Sequence, residues 1–381
     1  VRVAVVHHWF VSQGSGEKVA EALARMYPDA DLFSLIVDPK YLPADLHKRT
    51  LHTSALNKLP FARRFHRHLL PFYPIAVEQL DLREYDLILT SDSGPMKGAI
   101  IGPSAVHICY CHAPMRYLWD QYHVYRSEMR LIPRLAFSAS AHYVRCWDQL
   151  AAQRVTHFAS NSRYVASRIR RYYGRESTVI YPPVDTASSY LAKDHHGAYL
   201  TVGRLVPCKR IDLLIEACNR LGRPLRIIGT GPEESRLRAL AGRTIEFLGN
   251  VDHATLWNEY ARCRAFLFAA DEDFGMAVVE AQACGRPIIA FGRGGALESV
   301  VSLDKAATRL QCTGVFFHET TAMAAANAIL HFEANEHRFD PGIIRAWTER
   351  FSTEVFCRNF RSLVDHALQC PAATREFQKT L

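Results

Sequence analysis

Short β-branched and aromatic runs alternate with helical patterns along most of this chain, and that alternation restricts it to parallel sheets covered by helices. The spacing predicts strands at Val3–Val6, Asp86–Thr90, His107–Tyr110, His157–Ala159 and Thr178–Ile180, and again at Ala198–Val202, Leu225–Ile228, Ile245–Leu248, Ala265–Phe268 and Pro287–Phe291. Helical stretches fall between them, among them Glu17–Met26, Arg163–Tyr172, Ile211–Arg220, Glu233–Leu240, Ala254–Cys263 and Met276–Cys284. A chain of 381 residues exceeds the usual size of one core. The segment "IYPPVDT" (180–186) stops a strand with two prolines and opens a polar linker. We therefore expect an α/β protein with one domain over residues 1–183 and a second over 184–350. The amphipathic stretch after 350, with Phe356, Phe360, Leu363 and Val364 at helical spacing, is expected as a terminal helix over 351–381. Ligands of open parallel sheets bind at the carboxyl ends of strands, so a cleft between two such domains is the expected site.

The net charge of +8 calls for an anionic partner, a description that nucleic acid, phospholipid and phosphorylated substrates all meet. Residues 57–74, "NKLPFARRFHRHLLPFYP", mix Arg63, Arg64 and Arg67 with Phe65 and other apolar residues. Such a basic amphipathic segment suits a membrane interface, or packs its apolar face on its own domain; periodicity does not decide between them. The ten cysteines are scattered, and "CYCH" (109–112) has the wrong spacing for zinc. No metal site is expected, and reduced thiols in a cytoplasmic protein are the simplest reading. The first ten residues read as a strand and not as an export signal, and no apolar run is long enough to span a bilayer.

The chemistry-bearing residues follow predicted strands. "VGRLVPCKRIDLLIEA" places Gly203 at a strand-to-loop turn, then Arg204 and Lys209 ahead of a helix; two cations beside helix N–H groups suit a diphosphate. Either cation alone reads as a solvated helix-start charge; it is the two together, right after the strand tip, that favour a ligand. "IIGTGPEESRL" leaves Gly229 at the next strand tip, and "FLGNVDHATLW" offers backbone at Val251 for a flat base, with Asp252 as a helix cap. "DEDFGMAVVEAQACG" carries Glu272 in a loop, then Phe274, Gly275 and Met276 at a helix start, then Glu280 inside the helix. Carboxylates accept well from vicinal hydroxyls, and the Gly275 and Met276 N–H groups would face a phosphate between them.

Glu272, seven intervening residues and Glu280, together with "GRLVPCKR", resemble the signature of glycosyltransferase family 4, retaining enzymes of the GT-B fold with two Rossmann-like domains whose parallel sheets face a central cleft. The resemblance implies that Glu272 contacts hydroxyls of the transferred sugar, Glu280 the ribose, and Arg204 and Lys209 the donor diphosphate. "HHWFVSQGSGEKVAEAL" is similar to the family's glycine-rich first loop, with Gly14, Ser15 and Gly16 at the donor; Ser15 departs from the commoner glycine pair. "CYCHAPMRYLWDQY" resembles bacterial O-antigen and exopolysaccharide mannosyltransferases, which implies that His112 lies near the reaction centre.

By that resemblance the donor is a nucleotide sugar, GDP-mannose first and UDP-sugars as the alternative, used without metal or other cofactor. The acceptor would be a polyprenyl-diphosphate-linked saccharide, reached from the cytoplasmic, inner face of an anionic membrane through 57–74, with Arg63, Arg64, Phe65 and Arg67 as contacts and no nucleic acid involved. A sugar-nucleotide epimerase of the same architecture would convert donor without acceptor. An NAD-dependent dehydrogenase would need a GxGxxG that "QGSGEKV" does not supply. A binding protein without catalysis need not keep Glu272, Glu280 and His112 together.

Overall fold

The computed structural model of the chain describes residues 1–12, 14–127, 129–304 and 311–369; the side chains of Arg67 and His68 also lie outside what it describes. The chain divides into two compact units, Val1–Pro183 together with the stretch that begins at Phe356, and Val184–Val355.

The first unit is built on strands β1 (Val3–Phe10), β2 (Asp31–Val37), β3 (Leu51–Thr53), β4 (Leu87–Asp92), β5 (Val106–Cys111), β6 (His157–Ser160) and β7 (Ser177–Val179). Among the described residues they form one sheet in the order β3-β2-β1-β4-β5-β6-β7, paired in parallel throughout. Successive residues of β1 face opposite layers, as strand pleating requires. Val5 joins Leu89 and Ile108 under helix Ser15–Met26 and against Phe356 and Phe360 of helix Thr353–Gln369. Ala4 and Val6 join Ile88, Tyr73, Ala141 and Val144 on the other side. Because both faces are covered, the strands read as continuous apolar runs and not as alternating ones.

The second unit carries β8 (Tyr199–Val202), β9 (Leu225–Ile228), β10 (Ile245–Gly249), β11 (Phe266–Phe268), β12 (Ile288–Phe291) and β13 (Gly314–Phe317), in the parallel order β10-β9-β8-β11-β12-β13. Leu267 and Ile227 pack with Leu214 and Ile215 on one face, and Leu200 and Phe268 pack with Tyr260 and Val278 on the other.

Each sheet reverses its winding once, between β1 and β4 in the first and between β8 and β11 in the second. In doubly wound sheets the loops beyond such neighbouring strands diverge to opposite faces and leave a crevice for ligand.

Three strands lie outside the predicted set: β2, β3 and β13. So does the 23-residue helix Leu131–Gln153. The 57–74 segment is not one amphipathic helix but a series of short pieces, Ala55–Lys58, Ala62–Phe65, His66–Phe72 and Tyr73–Glu78. Pro60 precedes a left-handed Phe61 (φ 61°), and Pro71 removes a backbone donor within the third piece. Ala62, Leu70 and Tyr73 point into the core, whereas Leu59, Phe61, Phe65 and Phe72 are exposed.

Candidate active site

The second unit gathers its chemistry at the carboxyl ends of β8 and β11, the pair that flanks its winding reversal. Beyond β8 the chain turns through Gly203, Arg204 and a short 3-10 turn, Pro207–Lys209, before helix Ile211–Leu221. Arg210 takes a left-handed conformation at the helix entry (φ 49°) and turns its guanidinium onto Asp212, 3.2 Å away. Arg204 is exposed. Lys209 reaches across the reversal, and its ammonium is ion-paired with the carboxylate of Glu272 beyond β11. The lysine stem lies against Gly203, where a Cβ would meet Cε at 3.7 Å. Burial pulls the Lys209 pKa below its ordinary value, with Cys208 and Asp273 opposing it.

The neighbouring tips are pressed together. A Cβ on Gly229 would stand 2.0 Å from the Gly203 carbonyl oxygen, so only glycine lets the β8 and β9 turns approach this closely. The Gly229 N–H in turn donates to the Gly249 carbonyl at 2.8 Å, tying in the β10 tip, whose continuation holds the partly buried Val251. Asp252 caps the following helix, His253–Arg262, by accepting from the Thr255 N–H. On the other side the Gly295 N–H donates to the Glu272 carbonyl at 2.9 Å, so the Glu272 backbone is fixed while its side chain turns to Lys209.

Gly275, left-handed at φ 84°, starts helix Met276–Ala283, with no side-chain cap on its first N–H groups. Phe274 turns inward and packs edge-on against Phe351 with ring centroids 5.6 Å apart, so what this position can offer a ligand is backbone. The short helix is buried nearly all round, and that includes Met276 and Glu280. Glu280 accepts a hydrogen bond from the Tyr260 hydroxyl at 3.0 Å. Burying a carboxylate without such donors is costly. Tyr260, from helix His253–Arg262, did not emerge from the sequence because nothing local links it to Glu280.

In the first unit the corresponding reversal lies between β1 and β4. Gly14 and Ser15 open helix Ser15–Met26, and the Gly16 position is ringed by histidines: a Cβ there would lie 3.5 Å from His7, 3.7 Å from His112 and 3.9 Å from His8. Ser91, near the end of β4, ties the cluster together. Its hydroxyl sits 2.8 Å from His112 Nε2 and 3.3 Å from the Gly16 carbonyl, and its own carbonyl accepts from His7 Nδ1 at 2.9 Å. The His112 backbone is held by its N–H donating to the Asp92 carbonyl and by Asn161 donating to its own carbonyl. Burial pushes His7 down to about 4 and His112 down to about 3, so both rings are neutral near pH 7. His8 is likewise driven well below its usual value by burial. His7, His8 and Ser91 were missed in the sequence, although a histidine pair inside an apolar strand was a signal that could have been read.

Arg63, Arg64 and Phe65 are exposed, with the Arg64 guanidinium over the Phe65 ring; the next residue, His66, packs on Trp9 with ring centroids 4.8 Å apart, and the Arg67 side chain lies outside the described residues. Among the described residues, no group of three or more His, Cys, Asp or Glu side chains is arranged to hold a metal ion.

Two family descriptions match the chain, Glycosyltransferase Family 4 over residues 16–188 and Glycosyl transferases group 1 over residues 188–342. The chain is 39% identical over 113 residues to a GDP-mannose-dependent monoacylated alpha-(1-6)-phosphatidylinositol monomannoside mannosyltransferase of Corynebacterium glutamicum, covering 26% of this chain and 30% of that one. It is 38% identical over 107 residues to a D-inositol 3-phosphate glycosyltransferase of Mycobacteroides abscessus, covering 25% and 24%. The matched segments thus span under a third of either relative. Among solved structures, that of Anabaena HepE in complex with UDP superposes with a TM-score of 0.70 at 14% identity, covering 96% of this chain and 100% of that one; this is a likeness of fold.

Proposed function

The chain belongs to glycosyltransferase family 4, and on that premise we propose that it is a retaining hexosyltransferase, moving mannose from GDP-mannose to a polyprenyl-diphosphate-linked saccharide at a membrane surface. The observation that carries the reading is the meeting of Lys209 and Glu272 at the winding reversal of the second sheet. A cation suited to a diphosphate and a carboxylate suited to sugar hydroxyls stand at one crevice.

In this reading Lys209 and Arg204 hold the donor diphosphate with the N–H groups of Gly275 and Met276. Glu272 accepts from hydroxyls of the transferred hexose, Glu280 binds the ribose, and backbone near Val251 supports the base. As the acceptor oxygen bonds to the anomeric carbon, the bond from that carbon to the diphosphate breaks on the same face. The acceptor proton passes to the leaving diphosphate oxygen. The cations and helix N–H groups stabilise the charge that grows there, the task a divalent metal performs elsewhere. His112, being neutral, serves as a hydrogen-bond partner to sugar and not as a charged acid.

The preference for GDP-mannose is supported by the name of the Corynebacterium relative, which matches over a limited segment. The direct test is a transfer assay in the presence of chelator, with GDP-mannose and UDP-hexoses as donors and a polyprenyl-diphosphate saccharide as acceptor. NMR of the product should show the donor's anomeric configuration retained. Transfer from UDP-hexose alone would replace the donor, and donor conversion without acceptor would replace transfer with epimerisation.

A further inference from the structure

Helix Leu131–Gln153 turns Ala141, Val144 and Ala151 into the first unit, yet its outward face is also apolar. Leu131, Ile132, Leu135, Tyr143 and Leu150 are exposed, Ile132 at 80%. None of the fully exposed positions from 131 to 153 carries Asp, Glu, Lys or Arg. His142 and Gln153 are the polar exceptions on this face; a helix facing water ordinarily shows it charged and polar residues, and so largely apolar an exposed face marks a place of attachment. Twenty-three residues give this face a length of about 35 Å.

We propose that this face, with the exposed Val124 and Tyr125 of the preceding helix Tyr122–Ser127, docks on an anionic lipid bilayer. The charges around it select that occupant. Arg126, Arg130 and Arg134 cluster at its N-terminal end, and among the described residues none of them is in an ion pair. The His66–Phe72 piece packs against the same helix through the core that holds Leu70 and Val144. It follows the Ala62–Phe65 turn, where Arg63 and Arg64 are exposed and in no described ion pair. Exposed apolar side chains fringed by arginines match the acyl boundary and the phosphates of an anionic leaflet. A second copy of the chain would bring the same arginines with no exposed acid on this helix to answer them, which disfavours self-association. The surface is read from its own residues and does not depend on which sugar is transferred; the lipid-linked acceptor gives it a purpose.

The test is flotation of the full chain with phosphatidylcholine vesicles made with and without phosphatidylglycerol. Wild type should float with the anionic vesicles and lose binding as salt rises. Combined Ile132→Ser, Leu135→Ser and Leu150→Ser should weaken binding about tenfold or more, with melting temperature and nucleoside-diphosphate affinity unchanged. Should that variant fail to fold, Arg130→Glu with Arg134→Glu carries the same test and should lose about tenfold on anionic vesicles alone. Vesicle binding equal to wild type in a folded variant would overturn the proposal. So would a wild-type dimer in light scattering that the serine variant converts to monomer. The nucleotide measurement on the same samples tests the transferase reading separately.

Discussion

Lys209 and Glu272 are ion-paired across the winding reversal of the second sheet, one from the loop after β8 and the other from the loop after β11. If the lysine takes a donor diphosphate, Glu272 is its competitor for that charge as well as a ligand for the sugar. Glu272→Gln should therefore keep or tighten nucleoside-diphosphate binding while lowering transfer at least about 100-fold, a separation readable by calorimetry beside the transfer assay. A parallel loss of both would mean that the carboxylate merely holds the loop.

Glu280 takes a hydrogen bond from Tyr260 inside the protein. Tyr260→Phe leaves the packing in place and removes the donor, so the nearly buried carboxylate loses a hydrogen bond. Urea denaturation should report a loss of about 1–3 kcal/mol. An unchanged midpoint would show that Glu280 is satisfied elsewhere.

Lys97 is buried between two acids, 2.5 Å from Asp148 and 3.4 Å from Asp92, just beyond the tip of β4. Lys97→Met leaves both carboxylates enclosed without their cation. The expected cost is about 3–5 kcal/mol, seen as a lowered denaturation midpoint. Because Asp92 also accepts from the Gly94 and Met96 N–H groups, the loop after β4 should loosen, with faster amide exchange there.

The first unit should be labile in acid. His7 and His107 are buried and held neutral, at about 4 and about 3, against an ordinary value of 6.5. Between those values and 6.5 the unfolded chain binds more protons, so stability falls as pH drops through that window and is fully present above it. Each group contributes a slope of up to about 1.4 kcal/mol per pH unit. His107→Asn should flatten the decline of stability between pH 6.5 and pH 4; a profile identical to wild type would contradict the assignment.

The parallel α/β architecture was legible because both sheets are made of short apolar runs with helices between them. β3 escaped notice because it is a three-residue edge strand with half-exposed positions, and β13 because "GVFF" is too short to separate from a buried loop. Helix Leu131–Gln153 was hidden for a different reason: with apolar residues on its outward face as well as its inward one, it lacks the polar stripe by which a surface helix is read. At the candidate site, Lys209, Glu272 and the glycines could be found locally, since each follows a predicted strand. The contacts that join them could not, because Lys209 to Glu272, Tyr260 to Glu280 and Ser91 to His112 depend on which strands and helices become neighbours.

The proposed donor site stands or falls with nucleoside-diphosphate binding at the Lys209–Glu272 crevice. Calorimetry of GDP and UDP against wild type and Lys209→Ala, with chelator present, tests it most directly. GDP should bind wild type and weaken by about tenfold or more in the variant, as expected for loss of one charge-assisted contact. Binding of neither nucleotide to wild type, or equal affinity in the variant, would contradict it.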